Sequence, residues 1–272
     1  MDQRSSDLLQ SRRASFMLTL RNPHSVLAAI ERRPRDVAEI RLTRSQPQDA
    51  WQRVVEAAAA NGIAVHVQRG GGPGRRVPRG EEGGRSPSAE ALVRDLPPTD
   101  LRDLFQRPAS PASGDTPSPP TRLWLALDQV QDPHNLGAVF RSAAFFGVQG
   151  IVLTRHHSAP MTGTVYDVAS GGAESVPYAL EANLHRALTL AKEAGLWVLG
   201  TSEHASQSLW DIPRDRDWLV VVGNEETGMR RLTTETCDEV CTIAARGAIG
   251  SLNVSVATGA LLSALSRPAS AG

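Results

Sequence analysis

The chain is poor in the residues that mark several protein classes. Its two cysteines, Cys237 and Cys241, are too few for a disulfide framework. Aromatic residues fill only 4% of the 272 positions, and no apolar run reaches the ~18 residues of a transmembrane helix. The opening residues, MDQRSSDLLQSRRAS, hold neither a long apolar stretch nor a signal-type cleavage site, so a cytoplasmic location is expected. Lys192 is the only lysine, which leaves arginine as the other permanently cationic side chain. No cluster of His, Cys and acidic residues has metal-ligand spacing, so no metal is expected. Cys237 and Cys241, at i, i+4 on an expected helix leading to a strand, read as buried thiols. His156 and His157 read as a surface turn. A nucleophile elbow and a Gly-x-Gly-x-x-Gly fingerprint are also missing.

With 40% hydrophobic residues, the chain can build a real core. The net charge of zero hides a split. Residues 1–120 carry 18 Arg against 14 acidic residues, and residues 121–272 carry 11 basic against 15 acidic ones. The first half could therefore meet phosphate, to which arginine binds bidentately. Coding bias toward arginine explains the same pattern, so charge alone decides nothing.

Composition divides the chain further. Residues 69–88 are dense in Gly, Pro and Arg, and residues 107–121 carry five prolines; both read as linkers or loops. Before them, strand Val37–Thr43, helix Asp49–Asn61 closed by Gly62, and strand Ile63–Gln68 predict a small α/β domain over about residues 15–105. A Pro-rich linker over 106–121 leads to a second domain, 122–272. There Leu123–Leu127, Ile151–Leu153, Trp197–Gly200 and Trp218–Val222 read as buried strands. Asn135–Phe146, Glu181–Ala194 and Ser251–Leu265 read as helices. Short, doubly buried strands separated by helices imply an α/β fold with a mostly parallel sheet.

Three segments of this second domain combine glycines and polar residues beyond what packing requires. Asp132-Pro133-His134-Asn135-Leu136-Gly137 follows a strand and runs into a helix carrying Arg141 and Ser142, with Asn135 a possible N-cap. In open parallel sheets, ligands bind beyond the carboxyl ends of the strands, although a cap and a solvent-facing arginine account for this segment equally. Gly223-Asn224-Glu225-Glu226-Thr227-Gly228-Met229 follows the most apolar strand. Its glycines permit positive φ or close backbone approach, and Glu225 can accept hydrogen bonds or pair with an arginine. It is no phosphate-binding P-loop, because no Gly-Lys-Ser/Thr follows. In Gly250-Ser251-Leu252-Asn253-Val254-Ser255, Ser251 and Asn253 straddle an expected helix start.

In this order and spacing, the three segments resemble the motifs of the SpoU branch of the SPOUT methyltransferases, also called the TrmH family, over residues 121–265. Arg230-Arg231-Leu232-Thr233 and Ala173-Glu174-Ser175-Val176-Pro177 are similar to the branch that methylates a guanosine ribose of 23S rRNA. The resemblance implies an α/β domain with a deep trefoil knot, which physical reasoning alone would bet against. It implies S-adenosyl-L-methionine as cofactor, contacted by Gly223, Ile243 and Leu252, and a homodimer using the final helix. It assigns activation of the ribose 2′-hydroxyl to Arg141, with Asn135, Glu225, Ser251 and Asn253 in positioning roles. A guanidinium is a weak base, so orienting the phosphate and hydroxyl is the more physical role.

The first half resembles the family's small L30e-like RNA-binding domain, chiefly through His24-Ser25-Val26 and Ala28-Ala29-Ile30-Glu31. It departs from it at Asn22, where a glycine is expected, and lacks the His-Gln-Gly signature. Ala244-Ala245 stands where the family usually has Pro-Met. The expected function is ribose 2′-O-methylation of RNA. The alternatives are a tRNA target, a catalytically idle RNA-binding or ribosome-assembly factor, or self-protection against an rRNA-targeting antibiotic.

Overall fold

The computed structural model describes residues 16–43, 49–67, 89–106 and 121–267; the loop 69–88 and most of the Pro-rich linker lie outside them. The chain divides into two compact units, Met1–Pro97 and Pro98–Gly272.

In the first unit, β1 (Met17–Leu20), β2 (Val37–Leu42), β3 (Ala64–Val67) and β4 (Ala89–Arg94) form a sheet of order β1-β4-β2-β3. Only β2 and β3 pair in parallel, as their connection by a crossover helix requires. Helix α1 (Pro23–Arg32) starts at Asn22, whose side chain accepts from the His24 amide and so caps it. Helix α2 (Asp49–Ala60) packs against α1, and Gly62 takes the expected left-handed turn at φ 69°. Val26, Ile30, Ile40, Val54 and Val93 are fully buried between helices and sheet.

The second unit opens earlier than composition suggests. Helix α3 (Leu101–Leu104), placed by the sequence in the first domain, contributes Leu101 and Leu104 to this unit's core, and the Leu104 carbonyl accepts from Trp124 Nε1 at 2.9 Å. Burial of an indole with its N–H satisfied explains the attachment.

Seven strands follow: β5 (Leu123–Leu127), β6 (Ile151–Thr154), β7 (Tyr178–Glu181), β8 (Trp197–Thr201), β9 (Gln207–Ser208), β10 (Trp218–Val222) and β11 (Glu239–Thr242). Their order is β7-β6-β5-β10-β8-β11-β9, and every pairing is parallel. All residues of β5 and β10 are buried, as strands covered on both faces must be.

The helices are α4 (Pro133–Phe145), α5 (Gly163–Ala169), α6 (Gly172–Ser175), α7 (Leu184–Glu193), α8 (Arg231–Thr236) and α9 (Val254–Leu265). Helix α4 packs on α5, α6 and α9, and α7 packs on β8 and α8.

Four local expectations are corrected. Glu181 ends an edge strand and the helix starts after Asn183, whose side chain caps it. Asp132, rather than Asn135, caps α4: its carboxylate accepts from the His134 amide and Pro133 takes the first turn. The last helix starts at Val254, after Asn253 as its cap, rather than at Ser251. Cys237 ends α8 and Cys241 lies on β11, so the two do not share a helix.

Candidate active site

Because the strands are parallel, the loops after β5, β10 and β11 leave the same edge of the sheet. The three segments singled out in the sequence are these loops, and one side chain joins them. Asn135, in the first turn of α4, donates from Nδ2 to Glu225 Oε1 at 2.9 Å and accepts at Oδ1 from Asn253 Nδ2 at 2.9 Å. An amide can bridge an acceptor and a donor at once; a carboxylate or an aliphatic chain here could not. Freed from capping α4 by Asp132, Asn135 spends its polar groups on tertiary contacts.

Each partner is itself fixed. Asn253 Oδ1 accepts from the Ser255 amide at 2.9 Å and from Ser255 Oγ at 2.6 Å, which caps α9. Glu225 lies in a loop shaped by its neighbour. Asn224 Oδ1 accepts from the amides of Glu226 and Thr227, while Nδ2 donates to the Gln129 carbonyl at 2.9 Å. Gly228 turns this loop back at φ 69°. Gly223 permits its close approach: a Cβ there would sit 2.3 Å from the Gly228 carbonyl carbon and the Met229 nitrogen. Gly137 likewise lets α4 meet α5, since its Cβ would lie 2.8 Å from the Val165 carbonyl oxygen.

Arg141 stands apart from this cluster. It lies six residues beyond Asn135 on α4, about 9 Å along the helix axis. It is exposed, with Nη1 donating to Ser170 Oγ at 3.4 Å. Ser170 closes α5 in a left-handed conformation at φ 49°, unusual for a non-glycine residue. Ser251 is exposed and has no hydrogen-bond partner among the described residues. Gly223 and Ile243 follow β10 and β11 directly, and Leu252 precedes α9 with its side chain half exposed. Main-chain groups of residues 244–252 find no backbone partner among the described residues, leaving donors and acceptors at the rim.

Sequence reasoning missed Asn224, Gln129 and Ser170. Asn224 lies inside the Gly223–Met229 segment, directly beside Glu225. Ser170 carries no local signal, since only the fold brings it to Arg141. Cys237 and Cys241 are not part of this edge; burial pushes both thiols up to about 12. His156 and His157 are exposed in a turn. No group of three His, Cys, Asp or Glu residues able to hold a metal occurs among the described residues, and no helix among them is long and apolar enough to cross a membrane.

A parallel α/β domain whose sheet edge gathers three polar, glycine-bearing loops is a ligand-binding domain of the kind that sites its chemistry beyond the strand ends. The chain belongs to the SpoU rRNA Methylase family, whose model matches residues 122–263. It is 34% identical over 242 residues to the 23S rRNA (guanosine-2′-O-)-methyltransferase RlmB of Vibrio vulnificus, covering 88% of this chain and 92% of that one. It is 36% identical over 239 residues to the RlmB of Yersinia pestis, with the same coverage. Among solved structures, the SpoU methyltransferase AviRb from Streptomyces viridochromogenes in complex with the cofactor AdoMet shares the fold. The TM-score is 0.67 at 20% identity, with 98% of this chain and 93% of that one covered.

Proposed function

We propose that the chain is an S-adenosylmethionine-dependent RNA methyltransferase that modifies the 2′-hydroxyl of a guanosine ribose in 23S rRNA. The observation that carries this reading is the Asn253–Asn135–Glu225 chain of hydrogen bonds, which ties three motifs together at the sheet edge. The relatives named for this activity match along 88% of the chain, beyond the catalytic domain alone.

The site suits the cofactor by its donor set. Unspent main-chain groups of 244–252 can read an adenine edge, and the apolar side chains of Ile243 and Leu252 can cover its faces. Gly223, Ile243 and Leu252 would hold it. When bound, it supplies an electrophilic methyl group on a sulfonium. Transfer of that methyl to the ribose 2′-oxygen would leave S-adenosylhomocysteine behind, with the hydroxyl proton passing to solvent beside Arg141.

The chain's own residues hold the acceptor. Arg141, reached from the α4 surface and steadied by Ser170, binds the substrate phosphate and stabilises the charge that develops on the 2′-oxygen. Asn135, Glu225 and Asn253 keep the three loops in register, and Ser251 donates at the rim; these are positioning roles.

Three finer features complete the reading. The C-terminal segment would be threaded as a deep trefoil knot, as the family resemblance implies. The first unit would be an L30e-like RNA-binding domain and the second the catalytic domain, whose core takes in α3. A homodimer would form through α9, where Val256 is exposed beside the small residues Ala257, Gly259 and Ala260.

The reading is tested by methyl transfer from S-adenosylmethionine to unmodified 23S rRNA, with Arg141→Ala as the paired variant. Transfer by the wild type and loss of at least 100-fold in the variant, with cofactor binding retained, is expected. Normal turnover by Arg141→Ala would overturn the assigned role.

A further inference from the structure

One buried acid lies outside the cluster described above and yet touches the loop that shapes it. Asp128 follows β5 directly, and its side chain is 0% exposed. Oδ1 accepts from Arg230 Nε at 2.8 Å, and Oδ2 accepts from the Arg230 amide at 3.1 Å and from Thr233 Oγ1 at 2.8 Å. A carboxylate taken out of water is costly unless its lone pairs are met. Here three donors meet them, one of them a guanidinium, and all three come from Arg230 and Thr233, where the loop that follows β10 runs into α8.

The near end of that loop is held by the next residue. Gln129, at φ 65°, offers its carbonyl to Asn224 Nδ2 at 2.9 Å, and the Asp128 amide donates to the Val222 carbonyl at 2.8 Å. Residues 128 and 129 therefore grip the segment 223–230 at both ends. Between the grips the backbone closes on itself, with paired hydrogen bonds between Asn224 and Gly228 and the tight approach at Gly223.

We infer that Asp128 is a positioning residue for cofactor binding: by clasping Arg230 and Thr233 it presets the loop 223–230 as one wall of the cofactor cleft, so that binding does not have to order it. The inference rests on the reading of that cleft as the S-adenosylmethionine site. It assigns Asp128 no contact with the cofactor or with RNA. Arg230 serves as a strut between the acid and the loop, although part of its guanidinium faces solvent.

The test is calorimetric binding of S-adenosylmethionine to the full chain, without RNA, for wild type, Asp128→Asn and Thr233→Val, with melting temperatures and amide hydrogen exchange over 223–230. Asp128→Asn keeps the shape of the side chain and removes its charge. Its dissociation constant should rise about tenfold, because the amide accepts on one side only and its NH2 group faces a donor on the other. Exchange in the loop should quicken, and kcat at saturating cofactor should stay within threefold of wild type. Thr233→Val removes one donor of three and should raise the constant about threefold, which decides the matter if Asp128→Asn does not fold. Unchanged affinity in a folded Asp128→Asn, or in Thr233→Val should the first variant fail to fold, would overturn the inference. A fall in kcat at unchanged affinity would overturn it equally. Failure of the wild type itself to bind would instead overturn the reading of the cleft.

Discussion

Asn135 and Glu225, 90 residues apart in sequence, meet in a hydrogen bond of 2.9 Å. The bond joins the start of α4 to the loop after β10, two segments that share no strand pairing with each other. The second bond of Asn135, to Asn253 at 2.9 Å, brings in the start of α9. A single amide thus sets the mutual positions of all three loops.

Removing that amide should therefore cost activity more than stability. Both bonds are partly exposed, and each is worth about 1 kcal/mol to folding. Asn135→Ala should lower the melting temperature by only about 2–6 °C. Misplacement of the loops should lower kcat/KM by about 100-fold. Asn135→Asp should be at least as inactive, since a carboxylate would then face Glu225. The two quantities are checked by a thermal melt and by methyl transfer on the same preparations.

Asn253 combines two tasks that substitutions can separate. Asn253→Asp keeps the cap on α9, which accepts from the Ser255 amide, but loses the donor to Asn135. Asn253→Ala loses both and should cost about 1 kcal/mol more in stability through the missing cap. The expected pattern is similar loss of activity in both variants, with a lower melting temperature for Asn253→Ala alone.

Gly223→Ala should be among the most damaging small changes at the edge. The added methyl would lie 2.3 Å from two backbone atoms of Gly228 and Met229, which no side-chain rotation relieves. The loop must shift as a whole, and cofactor affinity should fall by at least tenfold in calorimetry.

The two thiols give a pH signature. Burial raises both to about 12 in the fold, against about 8.5 for an unfolded cysteine. The folded state holds these protons more tightly, so their contribution to stability is complete below the unfolded value. It is lost progressively as pH climbs from there toward the folded value. Denaturant unfolding measured from pH 7.5 to 10.5 should show falling stability, with a shallower fall in Cys237→Ala. At neutral pH, labelling by a thiol reagent should be slow in buffer and fast in denaturant.

Much of the catalytic domain is legible in the sequence because its strands are covered on both faces. Leu123–Leu127 and Trp218–Val222 are unbroken apolar runs, and the structure reproduces both ranges. The edge strand Tyr178–Glu181 was hidden. It is short, half-buried at its end, and finishes on an acid that also suits a helix start. At α4, Asn135 looked like a cap because asparagine often is one. The Asp132-Pro133 pair three residues earlier is the stronger helix-start signal, and it wins. The motif residues themselves stood out as polar residues and glycines where packing needs neither. Their mutual contacts did not, since bonds spanning 90 and 118 residues depend on how the strands are ordered. For the same reason the partner of Arg141 could not be named from sequence.

The central claim is best tested by following a labelled methyl group from S-adenosylmethionine into unmodified 23S rRNA and, separately, into bulk unmodified tRNA, with nucleoside analysis of the products. Label is expected in 2′-O-methylguanosine from the rRNA alone. Label recovered only from tRNA, label on a base rather than a ribose, or no label in either RNA would contradict it.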